Sequence, residues 1–207
     1  MKRETGYYEF DLPGDGGTLE EKLALEDLKR RKFYISFEIE PIIVTDIVRH
    51  IYQINAEDRD IEPEKRRPII IYLCSPGGDV DAGFELIDAI EASKTPVHIV
   101  NTGFQYSMAF LIGLAGHKRF ATKNAKFLMH DGSSVMYDST SKLQDRMEFQ
   151  KTVEERVQDY VLSHSRLTPE EYREKYRIEW YMYADEAKKY GFTDLIIGED
   201  CSVDEVV

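Results

Sequence analysis

Residues 68–90, PIIIYLCSPGGDVDAGFELIDAI, predict a strand, a tight turn and a helix in direct succession. The first half is apolar at nearly every position, which is typical of a strand buried on both faces of a parallel sheet. Proline and two glycines at 76–78 break the strand. Apolar Phe84, Ile87 and Ile90 then recur at helical spacing and predict a helix at 80–92. The stretch therefore forms one β-α unit of an α/β fold.

The same alternation of strands and helices continues on both sides of this unit. Apolar or alternating runs predict further strands at 33–39, 97–100, 119–121, 127–129 and 193–197. Helical periodicity and capping residues predict helices at 19–29, 42–54, 107–115, 141–164 and 184–190, with another beginning at the capping box of Thr168. Stacked βαβ units with right-handed crossovers are the expected architecture.

The chain is long enough for one well-buried core, so a single domain is expected. We place it at 28–200, after an N-terminal arm and helix at 1–27 and before an acidic tail at 201–207. The long charged helix from 141 is predicted to protrude, within a handle region at about 135–165. The charged segment 57–67 is interpreted as a solvated connection.

The charge balance argues against nucleic acid as a partner. The 207 residues carry a formal net charge of −12, and the short basic runs at 29–32 and 65–67 are flanked by acids. Nucleic-acid binding requires clustered cations that displace counterions. We therefore interpret both runs as solvated surface.

Cysteine usage and hydropathy indicate a soluble cytoplasmic protein. The two cysteines, Cys74 and Cys201, lie far apart in the chain and show no metal-ligand spacing. Neither a secretory apolar segment nor an apolar run long enough to cross a bilayer is present. We therefore expect no metal site, no disulfide framework and no membrane association.

Two strand-to-helix turns are candidate functional sites. In the turn at 75–79, consecutive glycines free backbone N–H groups to face an anionic group at the start of a helix. Pro-Gly-Gly is equally ordinary turn chemistry. In the turn at 102–110, Ser107 lies where a buried strand gives way to a buried helix. It is either an exposed nucleophile or a helix N-cap.

A third candidate is His130, which ends the apolar strand 127–129 just before Gly132. This placement projects the side chain from the rim of a sheet, where a general base would be available. The alternative is a histidine whose hydrogen bonds are satisfied within the structure. None of the three features decides the function singly.

Together, four segments resemble, in order, the proteolytic subunits of Clp protease, over about residues 28–197. They are CSPGGDVDAGFELIDAI, SMAF, GHKRFATKNAKFLMH and YADEAKKYGFTDLI. Four motifs in the same order are a specific signal, although each short motif alone is not. The resemblance implies a crotonase-like fold and a serine endopeptidase that cleaves unfolded polypeptides or short peptides inside an oligomeric chamber.

The resemblance also implies roles for particular residues. Ser107 takes the place of the nucleophile and His130 that of the general base. The backbone N–H groups of Gly78 and Met108 fall where the family forms its oxyanion hole. Glu179 stands where the family has its catalytic aspartate, with two nearby rivals for that role, Glu174 and Asp185.

The sequence departs from the family pattern at three further places. Ala109 replaces a glycine, which we expect to crowd the pocket entrance. Ile178 replaces an arginine that links two stacked rings, so a single or weakly paired ring is an alternative. Residues 131–134, DGSS, replace part of the strand that aligns the substrate.

The resemblance implies self-association into rings of six or seven subunits and a AAA+ unfoldase partner. No cofactor is expected in this chain, because ATP is used only by the unfoldase. Two alternatives stay open at this point. One is a non-catalytic ring subunit; the other is an acyl-CoA hydratase or isomerase of the crotonase type, whose paired N–H groups stabilise an enolate.

Overall fold

A computed structural model describes residues 18–132 and 137–206. Over these residues the strands are β1 (Lys32–Ile35), β2 (Ile69–Ser75), β3 (Val97–Tyr106), β4 (Lys118–Thr122), β5 (Lys126–Met129), β6 (Trp180–Tyr183) and β7 (Leu195–Ile197). The helices are α1 (Leu19–Lys29), α2 (Pro41–Glu57), α3 (Val80–Ala92), α4 (Met108–Leu114), α5 (Thr140–Ser163), α6 (Pro169–Tyr176) and α7 (Ala184–Lys189). Short 3-10 helices span Pro63–Lys65 and Val203–Glu205.

The predicted α/β class is confirmed by a mainly parallel sheet in the order β1-β2-β3-β4-β7. The long strand β3 divides its pairing: its first half runs beside β4, and its last three residues, 104–106, run beside β5. β6 then joins β5 antiparallel. Buried Asn101 lies at the division, where its amide donates to Lys126 O at 2.9 Å and accepts from Gly103 N at 3.0 Å. The functional turns all lie beyond this division.

Several predicted elements match the structure and others needed correction. The helices α1 and α3 have the predicted bounds. The strand predicted at 33–39 is shorter, because after Ile35 only Ile39 pairs, in an isolated bridge to Gly78. The strand β6 was not predicted at all. Its sequence WYMY follows a capped helix and a three-residue connection, which gave no separate strand signal.

The core lies on both faces of β2, as predicted for a parallel sheet. Ile69 and Ile71 join the main cluster under the helices, whereas Ile70 packs in a second, smaller cluster with Phe120 and Val206. Tyr72 donates a hydrogen bond from its hydroxyl to the carbonyl of Val206. The segment assigned to an acidic tail at 201–207 thus packs on the sheet as far as Val206, and residue 207 lies outside the described residues.

The helix predicted at 141–164 is α5, and most of its surface faces solvent. Its 24 residues would extend about 36 Å at 1.5 Å per residue. Val161, near its end, is its one buried residue, and Met147 and Phe149 are 60% and 69% exposed. The handle region was predicted to begin at 135, and positions 133–136 lie outside the described residues, as does the arm at 1–17. Over the described residues, no helix is both long enough and apolar enough to cross a membrane.

The prediction that 57–67 is simply a solvated connection is wrong at two positions. The side chain of Asp58 is 3% exposed and forms an ion pair with Arg31 at 2.6 Å. Arg66 is also buried, at 8% exposure. The ion pair forms because β1 and β2 are parallel neighbours, which brings the residue before β1 next to the end of α2. Sequence reasoning missed this pairing because 27 residues separate its members.

Candidate active site

Ser107 lies on a strained turn between β3 and α4. Its backbone has φ 54° and ψ −124°, and among the described residues only Arg31 shares a positive φ without being glycine. Such a conformation costs on the order of 1–3 kcal/mol, and strained residues of this kind cluster at active sites. The Ser107 side chain makes no capping hydrogen bond to α4. The N-cap interpretation therefore does not account for this serine.

The glycine turn of 75–79 packs directly against Ser107. Gly77 and Gly78 have φ angles of 98° and 150°, which favour glycine. A Cβ at Gly77 would lie 2.8 Å from Ser107 Cβ and 2.9 Å from Met108 N, and one at Gly78 would lie 2.5 Å from Ile39 O. Both positions therefore require glycine, and the close approach fixes the turn beside the serine.

Two backbone N–H groups at this contact have no acceptor among the described residues. Ile39 N donates to Gly77 O, and Asp79 N donates to Ile39 O, both at 2.8 Å. These two hydrogen bonds use the backbone groups of Gly77 and Asp79, the neighbours of Gly78. The N–H of Gly78 itself has no acceptor among the described residues. The N–H of Met108 is unpaired because it opens α4. The pair is suited to an oxyanion held beside Ser107.

His130 follows the last residue of β5, on the strand next to Ser107. The parallel register sets Leu128 beside Tyr106, and Ser107 N donates to Leu128 O at 3.1 Å. The Nε2 atom of His130 is buried and has no hydrogen-bond partner among the described residues. An unsatisfied buried nitrogen costs free energy and is uncommon in folded proteins. No hydrogen bond joins it to the Ser107 hydroxyl in the isolated chain.

Glu179 lies across from His130 at the end of the antiparallel pair β5–β6. Met129 is paired with Trp180, so continuing the ladder by one residue sets His130 opposite Glu179. The Glu179 side chain is exposed, and its Oε2 accepts from the Tyr181 hydroxyl at 3.4 Å rather than from His130. The two rivals, Glu174 on α6 and Asp185 on α7, are exposed and have no such register with the histidine.

An aromatic cluster beside the site was missed by sequence reasoning. The ring of Tyr106 contacts Phe104 at 4.9 Å between centroids and Tyr181 edge-on at 5.6 Å. Partial burial raises the pKa of Tyr181, and the Glu179 carboxylate adds to the rise. Alternation along β3 could have indicated Phe104 and Tyr106, but Tyr181 depended on recognising β6.

The structure describes the surroundings of Ala109 and Ile178, and part of the segment 131–134, where the sequence departs from the family pattern. Ala109 is fully buried, so its methyl group does not line an open pocket entrance, contrary to expectation. Ile178 is 54% exposed next to Glu179. Of the segment 131–134, positions 133 and 134 lie outside the described residues. Within the described ranges, no three His, Cys, Asp or Glu side chains are grouped closely enough to hold a metal ion.

Comparisons with known proteins point to one family. The sequence model described as Clp protease matches residues 19–200. The chain is 27% identical to ATP-dependent Clp protease proteolytic subunit 2 of Treponema pallidum, over 82% of this chain and 83% of that protein. It is 30% identical to the proteolytic subunit 1 of Streptomyces avermitilis, over 86% of this chain and 80% of that protein. For the corresponding subunit 1 of Frankia casuarinae the identity is 28%, over 89% and 85%.

Proposed function

The chain belongs to the Clp protease family, and from that premise we propose that it is a serine-type endopeptidase subunit with Ser107 as its nucleophile. Its substrates are unfolded polypeptides and short peptides. The observation that carries the proposal is the strained Ser107 turn, packed against Gly77, with the unpaired N–H groups of Gly78 and Met108 beside it. An acyl-CoA enzyme would use the paired N–H groups but would leave Ser107 and His130 without roles.

The proposed mechanism assigns one task to each group. His130 takes the proton of Ser107 as Oγ attacks the peptide carbonyl, and later gives that proton to the leaving amine. The N–H groups of Gly78 and Met108 donate to the oxygen that becomes negatively charged. Water then hydrolyses the acyl-enzyme with the same histidine as base. The free Nε2 of His130 supports this role, because no other described residue occupies it.

Glu179 is proposed as the acid that orients His130 and stabilises its protonated form. Its place opposite His130 in the continued β5–β6 ladder supports this assignment over Glu174 and Asp185. Glutamate has one more methylene than aspartate, so its carboxylate extends farther from the backbone. In the proposed active arrangement one carboxylate oxygen turns to His130 while the other keeps the hydroxyl of Tyr181.

We further propose that the subunit assembles into rings that enclose the serines and are fed by a AAA+ unfoldase. Support comes from large apolar side chains left exposed on the single chain, notably Phe37, Ile42, Phe149 and Ile178. The relatives are named as ATP-dependent, and we assign ATP use to the unfoldase and no cofactor to this subunit. A cytoplasmic location fits two free cysteines.

The direct test is labelling by a fluorophosphonate, which reacts with an activated serine, together with hydrolysis of a short fluorogenic peptide. We expect the parent protein to label and cleave, and Ser107→Ala to lose both while remaining folded. Ser163→Ala, at an exposed serine on α5, is the matched control and should behave as the parent. A parent that neither labels nor cleaves in any oligomeric state would contradict the proposal.

A further inference from the structure

A second concave surface lies at the amino ends of β2 and β3, opposite the strand ends that lead to Ser107. A cavity of about 320 Å³ opens there between the ends of α2 and α3. Cationic Arg59, Arg66 and Lys94 line it, together with the polar side chains of Tyr52, Asn55 and Ser93. No acidic side chain lines the cavity. In a chain with a formal net charge of −12, such a concentration of cations requires an explanation.

The buried carboxylate behind the cavity belongs to Asp58. Asp58 accepts from both terminal nitrogens of Arg31, at 2.6 and 2.8 Å, and from the hydroxyl of Thr95 at 3.1 Å. The Arg31 guanidinium chiefly holds the pKa of Asp58 below its ordinary value, and the Thr95 bond and the nearby charge of Arg66 add to this effect. The one carboxylate of the network is therefore ionised and fully engaged.

Arg66 is the second guanidinium of the same network, and it has no carboxylate of its own. Its Nε donates to Ile61 O at 2.8 Å, and Nη1 lies 3.4 Å from the Thr95 hydroxyl. Over residues 18–132 and 137–206, no acid lies within ion-pair distance of it, although it is only 8% exposed. Arg66 interacts with the Asp58 charge only at longer range, and burying a guanidinium without a direct ion pair is costly. The remaining face of Arg66 looks into the cavity, where an anion from outside would compensate it.

The cavity wall is held in place before any ligand binds. Asn55 Oδ1 accepts from the backbone N–H groups of Lys94 and Thr95, at 2.9 and 3.1 Å. The amide of Asn55 donates to Ser93 Oγ at 2.7 Å. These bonds fix the turn that carries Lys94. Of the two exposed cations, Lys94 has no ion pair among the described residues, and Arg59 contacts only exposed Asp60, at 3.6 Å.

We propose that this cavity binds a phosphate-class oxyanion, either inorganic phosphate or a phosphoryl group carried by a larger molecule. Three cations and the Tyr52 hydroxyl offer more donors than one carboxylate can accept. Phosphate offers more acceptor oxygens and a charge near −2 at neutral pH, and guanidinium groups match its geometry. The site is separate from the peptidase site, because it lies at the amino ends of the strands whose carboxyl ends lead to Ser107.

The test is calorimetric titration of the full-length protein with inorganic phosphate, in buffers matched in ionic strength with sodium chloride. We expect saturable binding at one site per chain. Arg59→Gln combined with Lys94→Gln should weaken binding by at least about tenfold, as expected when direct charge contacts are lost. Both positions are exposed, so the variant should fold. Lys65→Gln, at an exposed lysine outside the cavity, should bind within about twofold of the parent.

A titration with O-phosphoserine distinguishes the two sources of the phosphoryl group. Tighter binding than inorganic phosphate indicates a phosphorylated partner, and equal or weaker binding indicates the free ion. The proposal is overturned if the parent shows no saturable binding. It is also overturned if the double variant and Lys65→Gln bind phosphate as tightly as the parent, since binding would then be unrelated to the cavity. Peptide hydrolysis by the same variants should be unchanged.

Discussion

Polar groups are satisfied to different degrees at the two ends of the parallel strands, which we call the carboxyl edge and the amino edge of the sheet. At the carboxyl edge, formed by residues 75–79, 106–108 and 130, the N–H groups of Gly78 and Met108 and the Nε2 of His130 have no partner among the residues that the structure describes. At the amino edge, in the network formed by residues 31, 58 and 95, the Asp58 carboxylate is satisfied by three hydrogen bonds. The first edge keeps donors and acceptors available for a reaction, whereas the Asp58 network at the second holds the end of α2 to the residues before β1 and β3.

The difference separates residues that should affect turnover from those that should affect stability. Strain and unsatisfied groups lower the stability of a fold, and they persist where function requires them. Substitutions at the carboxyl edge should therefore change the rate of hydrolysis while leaving unfolding nearly unaffected. Substitutions at the amino edge should do the reverse.

His130→Ala should reduce peptide turnover by on the order of 10⁶-fold, because an unassisted serine is a weak nucleophile at neutral pH. The free energy of unfolding should hardly change, since Nε2 makes no hydrogen bond that would be lost. Steady-state hydrolysis and urea unfolding measure the two quantities. His50→Ala on α2 is the control and should retain parental turnover. Equal turnover by His130→Ala and the parent would remove this histidine from the mechanism.

Glu179→Ala should reduce turnover by on the order of 10⁴-fold, less than the loss of the base, because the acid orients the imidazole without accepting its proton. The measurement is kcat for the same peptide. Glu174→Ala and Asp185→Ala are matched controls, at exposed acids on α6 and α7. If one of these controls loses activity and Glu179→Ala does not, the acid has been assigned to the wrong residue.

Asp58→Ala should lower the free energy of unfolding by about 3–5 kcal/mol, because it leaves the Arg31 guanidinium partly buried without its partner. The native pKa of Asp58 is lowered chiefly by Arg31. A lowered pKa stabilises the fold above the unfolded value and loses that effect as pH falls. The difference in the free energy of unfolding between parent and variant should therefore become smaller below about pH 3.9.

Urea unfolding at pH 7 and at several values below 4 measures this difference. Asp60→Ala provides the control, since the Asp60 side chain is 90% exposed and should contribute little at any pH. If the difference in the free energy of unfolding between the parent and Asp58→Ala stays constant down to the lowest pH measured, Asp58 does not stabilise the fold through its charge. Turnover at neutral pH should be nearly parental in folded Asp58→Ala.

Tyr181→Phe should lower kcat by about two- to tenfold with KM unchanged, because a single hydrogen bond to the Glu179 carboxylate is lost. In a Glu179→Gln background the same substitution should have a smaller effect, since the two residues act through one contact. Tyr183→Phe, at an exposed tyrosine on the same strand, should have no effect in either background. Equal losses in both backgrounds would mean that the hydroxyl acts independently of Glu179.

Local sequence patterns were enough to predict the α/β class, the bounds of α1 and α3, and the order of the motifs that contain Gly78, Ser107 and His130. These features are local: periodicity and turn residues act within about one element length, so they can be recognised without knowing which strands pair. The glycine requirement at 77 and 78 is of the same kind, because two glycines after a buried strand already indicate an unusual backbone.

The contacts between distant residues could not be predicted from such local patterns. The register of β5 with β6 sets Glu179 opposite His130, and the pairing of β1 with β2 brings Arg31 to Asp58. The φ angle of Ser107 and the exposure of each charged side chain likewise depend on packing. Strand register and the burial of charge result from contacts between residues far apart in the chain, and no local pattern around Asp58 or Arg66 distinguishes them from the solvated charges beside them.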